Sequence, residues 1–353
     1  MWEQLPHQLI SIYKTKQGQN PCFFYKLINH ETIGKMGEES RDKMKKYFYL
    51  FNYPPEEHDL CTLEFKYLFH ENYQQCFLTN KDIDVNTSVF IKGKIDIWAM
   101  DKDFEKLKEE VQKQKHNYQE FKIIYLKNPI SHPDYQETLD KCKEISWFID
   151  GSVNMAKPLH TIALTKVNDL WVIGYYHHGV PSWKKYDDKP NTFSNSLDIR
   201  LARTLINIAG ENDISKTIID PCCGMGTVVL EGLALGYSIK GFDISRDISW
   251  KARCNLNHFG FDGMLITKDD INKHQGHYDV AIIDIPYNLY TPITYQEQCA
   301  IIQSARRLCD KLVLVSYEKM DKEIKEAGFE IKDCILRKKT ELVKFGRYIY
   351  VCY

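Results

Sequence analysis

The chain has 353 residues, and its 47 lysines and arginines nearly balance its 48 aspartates and glutamates, which leaves a net charge of −1. Whole-chain charge therefore argues neither for nor against nucleic acid, and any basic surface must be local. The length allows about two or three domains. No apolar run approaches the roughly eighteen residues of a membrane-spanning helix.

The cysteines and the N-terminus are informative about cellular context. The 11 cysteines form neither Cys-x-x-Cys nor a zinc-ligand spacing, so we interpret them as reduced thiols of a cytoplasmic protein and expect no metal site. Residues 1–45 show no clear hydrophobic period and are treated as an uncertain extension. The segment MGEESRDKM resembles a translated ribosome-binding site, which predicts that the native protein starts at Met44.

Residues 46–185 are predicted to form an α+β module, because strands and helices are mixed there without one repeating unit. The predicted strands are 47–51, 89–98, 121–125 and two short runs within 161–172, and the predicted helices are 58–69, 104–114 and 135–149. The segment that follows, with His177, His178, Lys184 and Lys185, is interpreted as a linker loop. A helix is then predicted within 191–208, with Ser196 as its N-cap.

The next stretch contains a strand, a glycine turn, a helix and a second strand. The first strand ends at Asp220, the turn PCCGMG leads into a helix over 227–235, and the second strand ends at Asp243. Glycines let a ligand approach the backbone, and a helix start offers unpaired N–H groups. The second acid can accept hydrogen bonds from both ribose hydroxyls. The pattern therefore predicts a nucleoside site.

The type of nucleoside follows from what this turn lacks. It has neither the Gly-x-Gly-x-x-Gly of dinucleotide sites nor the Gly-Lys-Ser/Thr of phosphate loops. Carboxylates follow both strands instead: Asp220 suits an ammonium group and Asp243 suits a ribose. This pairing fits S-adenosylmethionine better than a phosphate-bearing cofactor, although an ordinary strand-turn-helix of another α/β protein remains the alternative.

Alternating elements continue to the C-terminus. The predicted order is helix 250–259, strand 264–267, strand 278–283, helix 296–308, strand 312–316, helix 323–327 and a closing hairpin of 329–336 and 347–353. Right-handed crossovers give a mostly parallel sheet, whose ligands bind at the carboxyl ends of the strands. After the third strand we prefer Asp270 to Asp269 as acceptor from an adenine amine, because Ile271 is ready to cover the ring.

The tetrapeptide Asp284-Ile285-Pro286-Tyr287 follows the fourth strand. An exocyclic base amine is a poor nucleophile because its lone pair is delocalised into the ring. Asp284 and the Ile285 carbonyl could both accept from this amine and direct the lone pair at a methyl sulfonium. Pro286 would stiffen the turn and Tyr287 would stack on the base. Proline turns after strands are common in α/β proteins. However, acids also follow the three preceding strands, and this pattern favours a role for the tetrapeptide in catalysis.

These motifs resemble class I S-adenosylmethionine-dependent methyltransferases, specifically amino-methyltransferases with an [Asn/Asp]-Pro-Pro-[Tyr/Phe] motif. Ile285 departs from the usual proline, but ribosomal-RNA adenine dimethylases also tolerate an aliphatic residue there, so the carbonyl role survives. From about Lys189 to Phe261 the chain is most similar to THUMP-associated tRNA guanosine N2-methyltransferases acting at position 10. This similarity lies in Ser194-Asn195-Ser196-Leu197, Asn207-Ile208-Ala209 and the turn from Asp220 to Thr227.

The resemblance implies a fold and a set of site residues. Residues 186–353 would form a Rossmann-like methyltransferase domain with a seven-stranded, mostly parallel sheet and a C-terminal antiparallel hairpin, and residues 46–185 a ferredoxin-like/THUMP-like module that grips tRNA. The catalytic residues would be Asp284, Ile285, Pro286 and Tyr287. The cofactor-binding residues would be Asp220, Cys222, Gly224, Gly226, Thr227, Asp243, Ile244, Asp270 and Ile271. Eukaryotic relatives need a small zinc-binding partner, whereas archaeal ones can act alone.

Three functions remain open at this point: an RNA guanine-N2 methyltransferase, an N6-adenine methyltransferase on RNA or DNA, and a catalytically silent RNA-binding protein. The N-terminal module favours the first over the second, and the intact acceptors at Asp284 argue against the third. We expect RNA phosphates at the basic loop of the closing hairpin, through Arg337, Lys338, Lys339 and Lys344.

Overall fold

The computed structural model describes residues 45–193, 196–287, 293–338 and 346–353. The predictions for residues 1–44, including the start at Met44, and those for Ser194, Asn195, Lys339 and Lys344 lie outside these ranges. From Lys45 to Tyr353 the chain forms one compact unit built on two sheets. In the described ranges the cysteines are free thiols, and no helix has the length and apolar character needed to cross a membrane.

The first sheet has seven strands in the spatial order β2-β1-β3-β7-β6-β4-β5. Its strands are β1 (Tyr47–Phe51), β2 (Cys76–Thr79), β3 (Ile91–Asp101), β4 (Asn117–Tyr125), β5 (Asp150–Val153), β6 (His160–Val167) and β7 (Leu170–His178), and its helices are α1 (His58–Phe69), α2 (Phe104–Gln114) and α3 (Tyr135–Ser146). Strand β4 is parallel to β5 and β6, and the other pairs are antiparallel. The mixture of strands and helices agrees with the predicted α+β pattern, while its THUMP-like character stays a prediction.

The second sheet has the order β10-β9-β8-β11-β12-β14-β13. Its strands are β8 (Thr217–Asp220), β9 (Ser238–Asp243), β10 (Ile266–Lys268), β11 (Tyr278–Asp284), β12 (Cys309–Ser316), β13 (Ile331–Lys338) and β14 (Gly346–Cys352), and its helices are α4 (Ile199–Gly210), α5 (Thr227–Ala234), α6 (Arg246–His258), α7 (Tyr295–Leu308) and α8 (Asp321–Glu326). Strands β8 to β12 are parallel and β14 is antiparallel to both neighbours. The predicted Rossmann-like sheet with its closing hairpin is confirmed.

Two parts of the first sheet differ from the prediction. His177 and His178 do not lie in a loop: they end β7 and pair with Lys94 and Gly93 of β3. The side chain of His177 also contacts Asp96 of β3, with 3.0 Å between Nε2 and Oδ2. These two polar residues on neighbouring strands are therefore partners. Strands β2 and β5 were not predicted, because they have four residues each and β5 is exposed along its whole length.

The start of α4 also differs. Ser196 is not its N-cap; the helix begins at Ile199, and the Asp198 side chain caps it by accepting a hydrogen bond from the Leu201 N–H at 2.9 Å. Aspartate caps a helix as well as serine does. The preceding segment is held elsewhere, because the Asn191 N–H donates to Asn255 of α6 at 2.9 Å.

A buried polar cluster ties the two sheets together. The Arg203 guanidinium on α4 donates to Glu231 of α5 at 2.7 Å and to the backbone carbonyl of Thr87, ahead of β3, at 3.0 Å. Asn207 on α4 donates to Glu64 of α1 at 2.7 Å. A continuous apolar core runs alongside, from β1 and α1 through α4 and α5 to one face of the second sheet. Helices α4 and α5 therefore link the first sheet to the second.

Candidate functional site

Four aspartates lie at the carboxyl edge of the second sheet. Asp220 ends β8, Asp243 ends β9, Asp284 ends β11, and Asp270 follows β10 by two residues. Because β8 pairs with both β9 and β11, these strand ends are neighbours. Burial raises the pKa of the Cys222 thiol, and the charges of all four aspartates add to this shift. The sequence-predicted acids are therefore gathered around one turn.

Asp220 is the most buried of these acids, with 3% of its surface exposed. Its Oδ1 accepts a hydrogen bond from the Cys222 N–H at 3.3 Å. Burial raises the pKa of its carboxyl well above the usual value, and the charges of Asp284 and Asp243 raise it further. A cationic group placed here would offset both effects. The setting suits an ammonium group.

The two glycines of the turn serve different purposes. Both have positive φ angles, 51° at Gly224 and 77° at Gly226, which glycine adopts without strain. A Cβ at Gly224 would meet no described atom within 4 Å, whereas one at Gly226 would come within 3.0 Å of the Ile266 side chain. Gly224 therefore borders open space that a ligand can occupy, and Gly226 lets the turn pack against β10. The buried Thr227 then begins α5.

Asp243 is held by backbone N–H groups on two sides. Its Oδ1 accepts from the Ser245 N–H at 2.9 Å, and its Oδ2 accepts from the Gly224 N–H at 3.2 Å. Burial raises the pKa of its carboxyl, and these two hydrogen bonds oppose the shift. Ile244, the next residue, is 68% exposed and offers an apolar surface beside the carboxylate.

The two acids after β10 have different partners. Asp269 contacts His274, with 2.6 Å between Oδ2 and Nδ1, and this hydrogen bond lowers the pKa of its carboxyl. Asp270 accepts from the Asn272 N–H at 3.0 Å, and its charge also acts on the thiol of Cys222. This placement supports the preference for Asp270. Ile271 is only 5% exposed and belongs to the core, so its side chain is not free to cover a ring as the sequence led us to expect.

The backbone of the tetrapeptide from Asp284 to Tyr287 is anchored on both sides. The Ile285 N–H donates to the Val315 carbonyl of β12 at 2.9 Å, and the Pro286 carbonyl accepts from the Gln298 side chain of α7 at 2.8 Å. Two neighbouring elements therefore fix this turn. Gln298 was missed at the sequence level, because its partner lies on a different element.

Asp284 carries the buried acceptor of the tetrapeptide. Its Oδ1 is buried and makes no hydrogen bond to the described part of the chain. Burial raises the pKa of its carboxyl to about 6, and the positive charge of Arg347 opposes this shift. A buried carboxylate oxygen with an unused lone pair can accept a hydrogen bond from a ligand.

Two tyrosines and an arginine complete this corner. The ring centroids of Tyr287 and Tyr317 lie 4.0 Å apart, and the Tyr317 hydroxyl donates to the Tyr287 hydroxyl at 3.3 Å. The Arg347 guanidinium lies 5.2 Å from the Tyr317 ring centroid, and its charge opposes the rise in the pKa of the Tyr287 hydroxyl. Sequence reasoning missed Tyr317, although it directly follows β12 and the carboxyl-end rule applies to it as much as to Asp284.

Arg337 of the basic loop is used within the chain. Its guanidinium forms ion pairs with Asp198 at 2.6 Å and with Glu57 at 2.9 Å, and it joins the cap of α4 to the segment before α1. Because the guanidinium is engaged in these two ion pairs, few of its N–H groups are left to bind an RNA phosphate. Lys338 is exposed and stays a candidate RNA contact, while Lys339 and Lys344 fall outside the described ranges.

Comparison with known proteins gives one family match, two curated relatives and a similar solved structure. Residues 188–292 match the family model of UPF0020, described as an RMKL-like methyltransferase domain. The chain is 27% identical over 146 residues to the tRNA (guanine(10)-N2)-dimethyltransferase of Methanothermobacter thermautotrophicus, and 27% identical over 124 residues to the enzyme of that name from Pyrococcus abyssi. These alignments cover 39% and 34% of this chain and 42% and 37% of the relatives. The chain thus matches about two fifths of the length of these curated relatives.

Among solved structures, TrmN from Thermus thermophilus aligns with 87% of this chain and 99% of its own, at 13% identity and a TM-score of 0.42. The family match includes the glycine turn, the carboxyl-edge acids and the tetrapeptide from Asp284 to Tyr287, whereas Gln298, Tyr317 and Arg347 lie beyond it. The motif-based prediction of a methyltransferase domain is confirmed by this match of residues 188–292 to the model of an RMKL-like methyltransferase domain.

Proposed function

We propose that this chain is an S-adenosylmethionine-dependent methyltransferase that acts on an exocyclic base amine in RNA, specifically the N2 amine of guanine at position 10 of tRNA. The observation that carries the proposal is Asp284, whose buried Oδ1 lacks a hydrogen-bond partner in the described ranges and whose strand ends beside the glycine turn. A base amine would supply the missing donor. The tRNA target is supported by the two relatives named above.

The residues around the turn fit the cofactor. Asp220 suits its ammonium group, because a cation relieves the unfavourable burial of this carboxylate. Asp243 suits the ribose hydroxyls, and Asp270 with Ile244 suits the polar edge and the face of the adenine. A Cβ at Gly224 would meet no described atom within 4 Å, so the turn leaves open space beside this residue for the cofactor. When bound, S-adenosylmethionine supplies a methyl group activated by a sulfonium.

The tetrapeptide is proposed to prepare the amine for transfer. Asp284 and the Ile285 carbonyl each accept one N–H, which draws the nitrogen towards sp3 geometry and exposes its lone pair. Asp284 is also placed to take the proton that the amine loses. The ring of Tyr287 stacks on the base and holds it. Catalysis then rests mainly on positioning of the reactants.

The first sheet, within residues 46–185, is proposed to hold the RNA, with residues 186–353 as the methyltransferase part. Half-buried rings form a continuous row across four strands: Trp98, His116, Tyr118, His160 and Tyr175. Trp98 stacks on His116 with 3.7 Å between ring centroids. Unpaired RNA bases stack on aromatic surfaces of this kind. The exposed Lys338 would add a phosphate contact.

Nucleoside mass spectrometry tests the proposal. The protein is incubated with an unmodified tRNA transcript and cofactor labelled in its methyl group, and the RNA is digested to nucleosides. We expect labelled N2-methylguanosine, and its loss when guanosine 10 is replaced by adenosine. Labelled N6-methyladenosine would favour the adenine alternative. Cofactor binding without any labelled product would favour a silent RNA-binding protein.

A further inference from the structure

Arg347 is brought beside Asp284 by the antiparallel end of the second sheet. Asp284 of β11 pairs with Val315 of β12, and Val315 pairs with Ile349 of β14. Arg347 precedes Ile349 by two residues, so their side chains leave the same face of the sheet. Because β14 runs opposite to its neighbour, its first residues lie at the edge where the parallel strands end. Arg347 therefore stands over the catalytic corner.

The guanidinium of Arg347 is held in a defined direction. Only 8% of the residue is exposed, and its guanidinium lies 5.2 Å from the centroid of the Tyr317 ring, which in turn contacts the ring of Tyr287. The charges of Arg347 and Asp284 favour each other's ionised form. A cation held by packing and a carboxylate at a strand end, whose charges act on each other, thus border the place proposed for the base amine.

We propose that Arg347 reads the target base by donating a hydrogen bond to O6 of guanine while Asp284 accepts from the neighbouring N1 and N2 groups. This inference rests on the proposed function and deepens it, because it names the residue that separates guanine from adenine. The Watson–Crick edge of guanine offers two donors followed by an acceptor, which is complementary to a carboxylate followed by a guanidinium.

Adenine does not satisfy this pair. If its amine occupied the position next to Asp284, the ring nitrogen beside it would be an acceptor facing the carboxylate. The position corresponding to O6 would hold a C–H group, which gives the guanidinium nothing to bind. A base that leaves buried charged groups without partners is discriminated against strongly. The pair therefore selects guanine through both of its members.

A supporting role for Arg347 makes a different prediction from base reading. If the guanidinium only held Tyr287 and kept Asp284 ionised, its removal would slow transfer to every base amine equally. If it contacts O6, its removal matters only for bases that have O6. The test therefore needs a substrate with the reactive amine and without the O6 atom.

2-Aminopurine is such a base, because it keeps the N2 amine and lacks O6. Its N1 also carries no hydrogen, which makes it a poorer substrate for every variant, so each variant is compared with the unchanged protein on the same RNA. We compare kcat/KM on two tRNAs assembled from two pieces, with either guanosine or 2-aminopurine riboside at position 10. The variants are the unchanged protein, Arg347→Gln, Arg347→Lys, and the control Lys332→Gln, an exposed residue on β13. Cofactor affinity and thermal unfolding of each variant report whether the fold is intact.

We expect Arg347→Gln to lower kcat/KM on guanosine RNA by about 10- to 100-fold, the range for a hydrogen bond to a charged group, and to change the value on 2-aminopurine RNA by less than about threefold. Arg347→Lys should retain part of the preference, and Lys332→Gln all of it. An equal loss on both substrates, in whichever Arg347 variant folds, would overturn the assignment. If the unchanged protein fails on guanosine RNA, the proposed function falls and this inference falls with it.

Discussion

Asp220 and Asp284 end two hydrogen-bonded parallel strands, and they are close enough for the charge of Asp284 to act on Asp220. Burial is the main reason that the pKa of Asp220 is raised, and this neighbouring charge adds to it. Arg347 opposes the corresponding shift at Asp284. Among the described residues, Asp220 has no ion-pair partner, and the Oδ1 of Asp284 has no hydrogen-bond donor. In the proposed function, a cofactor ammonium supplies the cation and a base amine supplies the donor.

Asp243→Ala should weaken cofactor binding by about 1–3 kcal/mol, the cost of leaving buried polar groups without their partner. The Ser245 and Gly224 N–H groups, which Asp243 now accepts from, would lose their acceptor together with the ribose contact. Titration calorimetry with S-adenosylmethionine measures the effect. Asp247→Ala serves as the control, since Asp247 is exposed and pairs only with Lys251 among the described residues. Equal affinities for both variants would rule out the ribose role.

Alanine at the two turn glycines should separate ligand binding from stability. Gly224→Ala puts a Cβ into the open space of the turn, so we expect loss of cofactor affinity with only about 1 kcal/mol of destabilisation from the positive φ. Gly226→Ala drives a Cβ towards Ile266 and Leu256, at 3.0 and 3.3 Å, and should cost about 2–4 kcal/mol. Urea unfolding without cofactor, together with calorimetry, distinguishes them. The reverse ranking in stability would contradict these roles.

The rate should depend on pH through Asp284. The pKa of its carboxyl is raised to about 6, and the protonated form cannot accept through both oxygens. We therefore expect kcat/KM to increase between about pH 5 and 7 and then to level off, since this ratio reports the free enzyme. A profile that stays flat through this range would show that ionisation of Asp284 does not matter for transfer.

The same group should also affect stability, with the opposite sign. Folding raises the pKa of Asp284, so its contribution is greatest below about pH 4 and is lost as the pH increases through about 6. Asp284→Asn removes this component. Cofactor-free protein should therefore gain stability from the substitution at pH 8 relative to pH 4, measured by urea unfolding. No difference between the two pH values would contradict the raised pKa.

Arg203→Met should destabilise the protein by about 3–5 kcal/mol at pH 8, because it leaves Glu231 buried without its cation. Burial already raises the pKa of Glu231 to about 7, and Arg203 opposes this shift. The variant can relieve the unpaired charge by protonating Glu231, so the loss should be smaller at pH 5. Lys240→Met, at an exposed position on β9, is the control for urea unfolding. A loss that does not vary with pH would argue that lost packing, not charge, is the cause.

The features that the sequence predicted correctly are those with a signal in the local sequence pattern. Alternating strands and helices identified the second sheet, and strand-end acids identified Asp220, Asp243 and Asp284, because each signal lies within a few residues of the element it marks. The sequence did not reveal β5, whose four residues are all exposed and carry no apolar alternation. It also could not pair Arg337 with Glu57, since the partners come together only when the two sheets pack.

Arg347 illustrates the same limit within the site. Its position beside Asp284 depends on the register of β11, β12 and β14, and register between strands distant in sequence has no local signal. From the sequence it was one basic residue at the end of a charged loop. Tyr317 could have been found, because the residue after a parallel strand is a candidate in any sheet of this kind.

The most direct test of the account is the single-turnover rate of methyl transfer to tRNA by Asp284→Asn at saturating cofactor. Asparagine keeps the shape of the side chain but replaces one acceptor oxygen with a donor, so the amine loses the carboxylate. We predict a rate at least about 100-fold below that of the unchanged protein, as for loss of a charged acceptor in a buried site, while cofactor affinity by calorimetry stays within about threefold. A transfer rate near that of the unchanged protein would contradict the central claim that Asp284 holds the reacting amine.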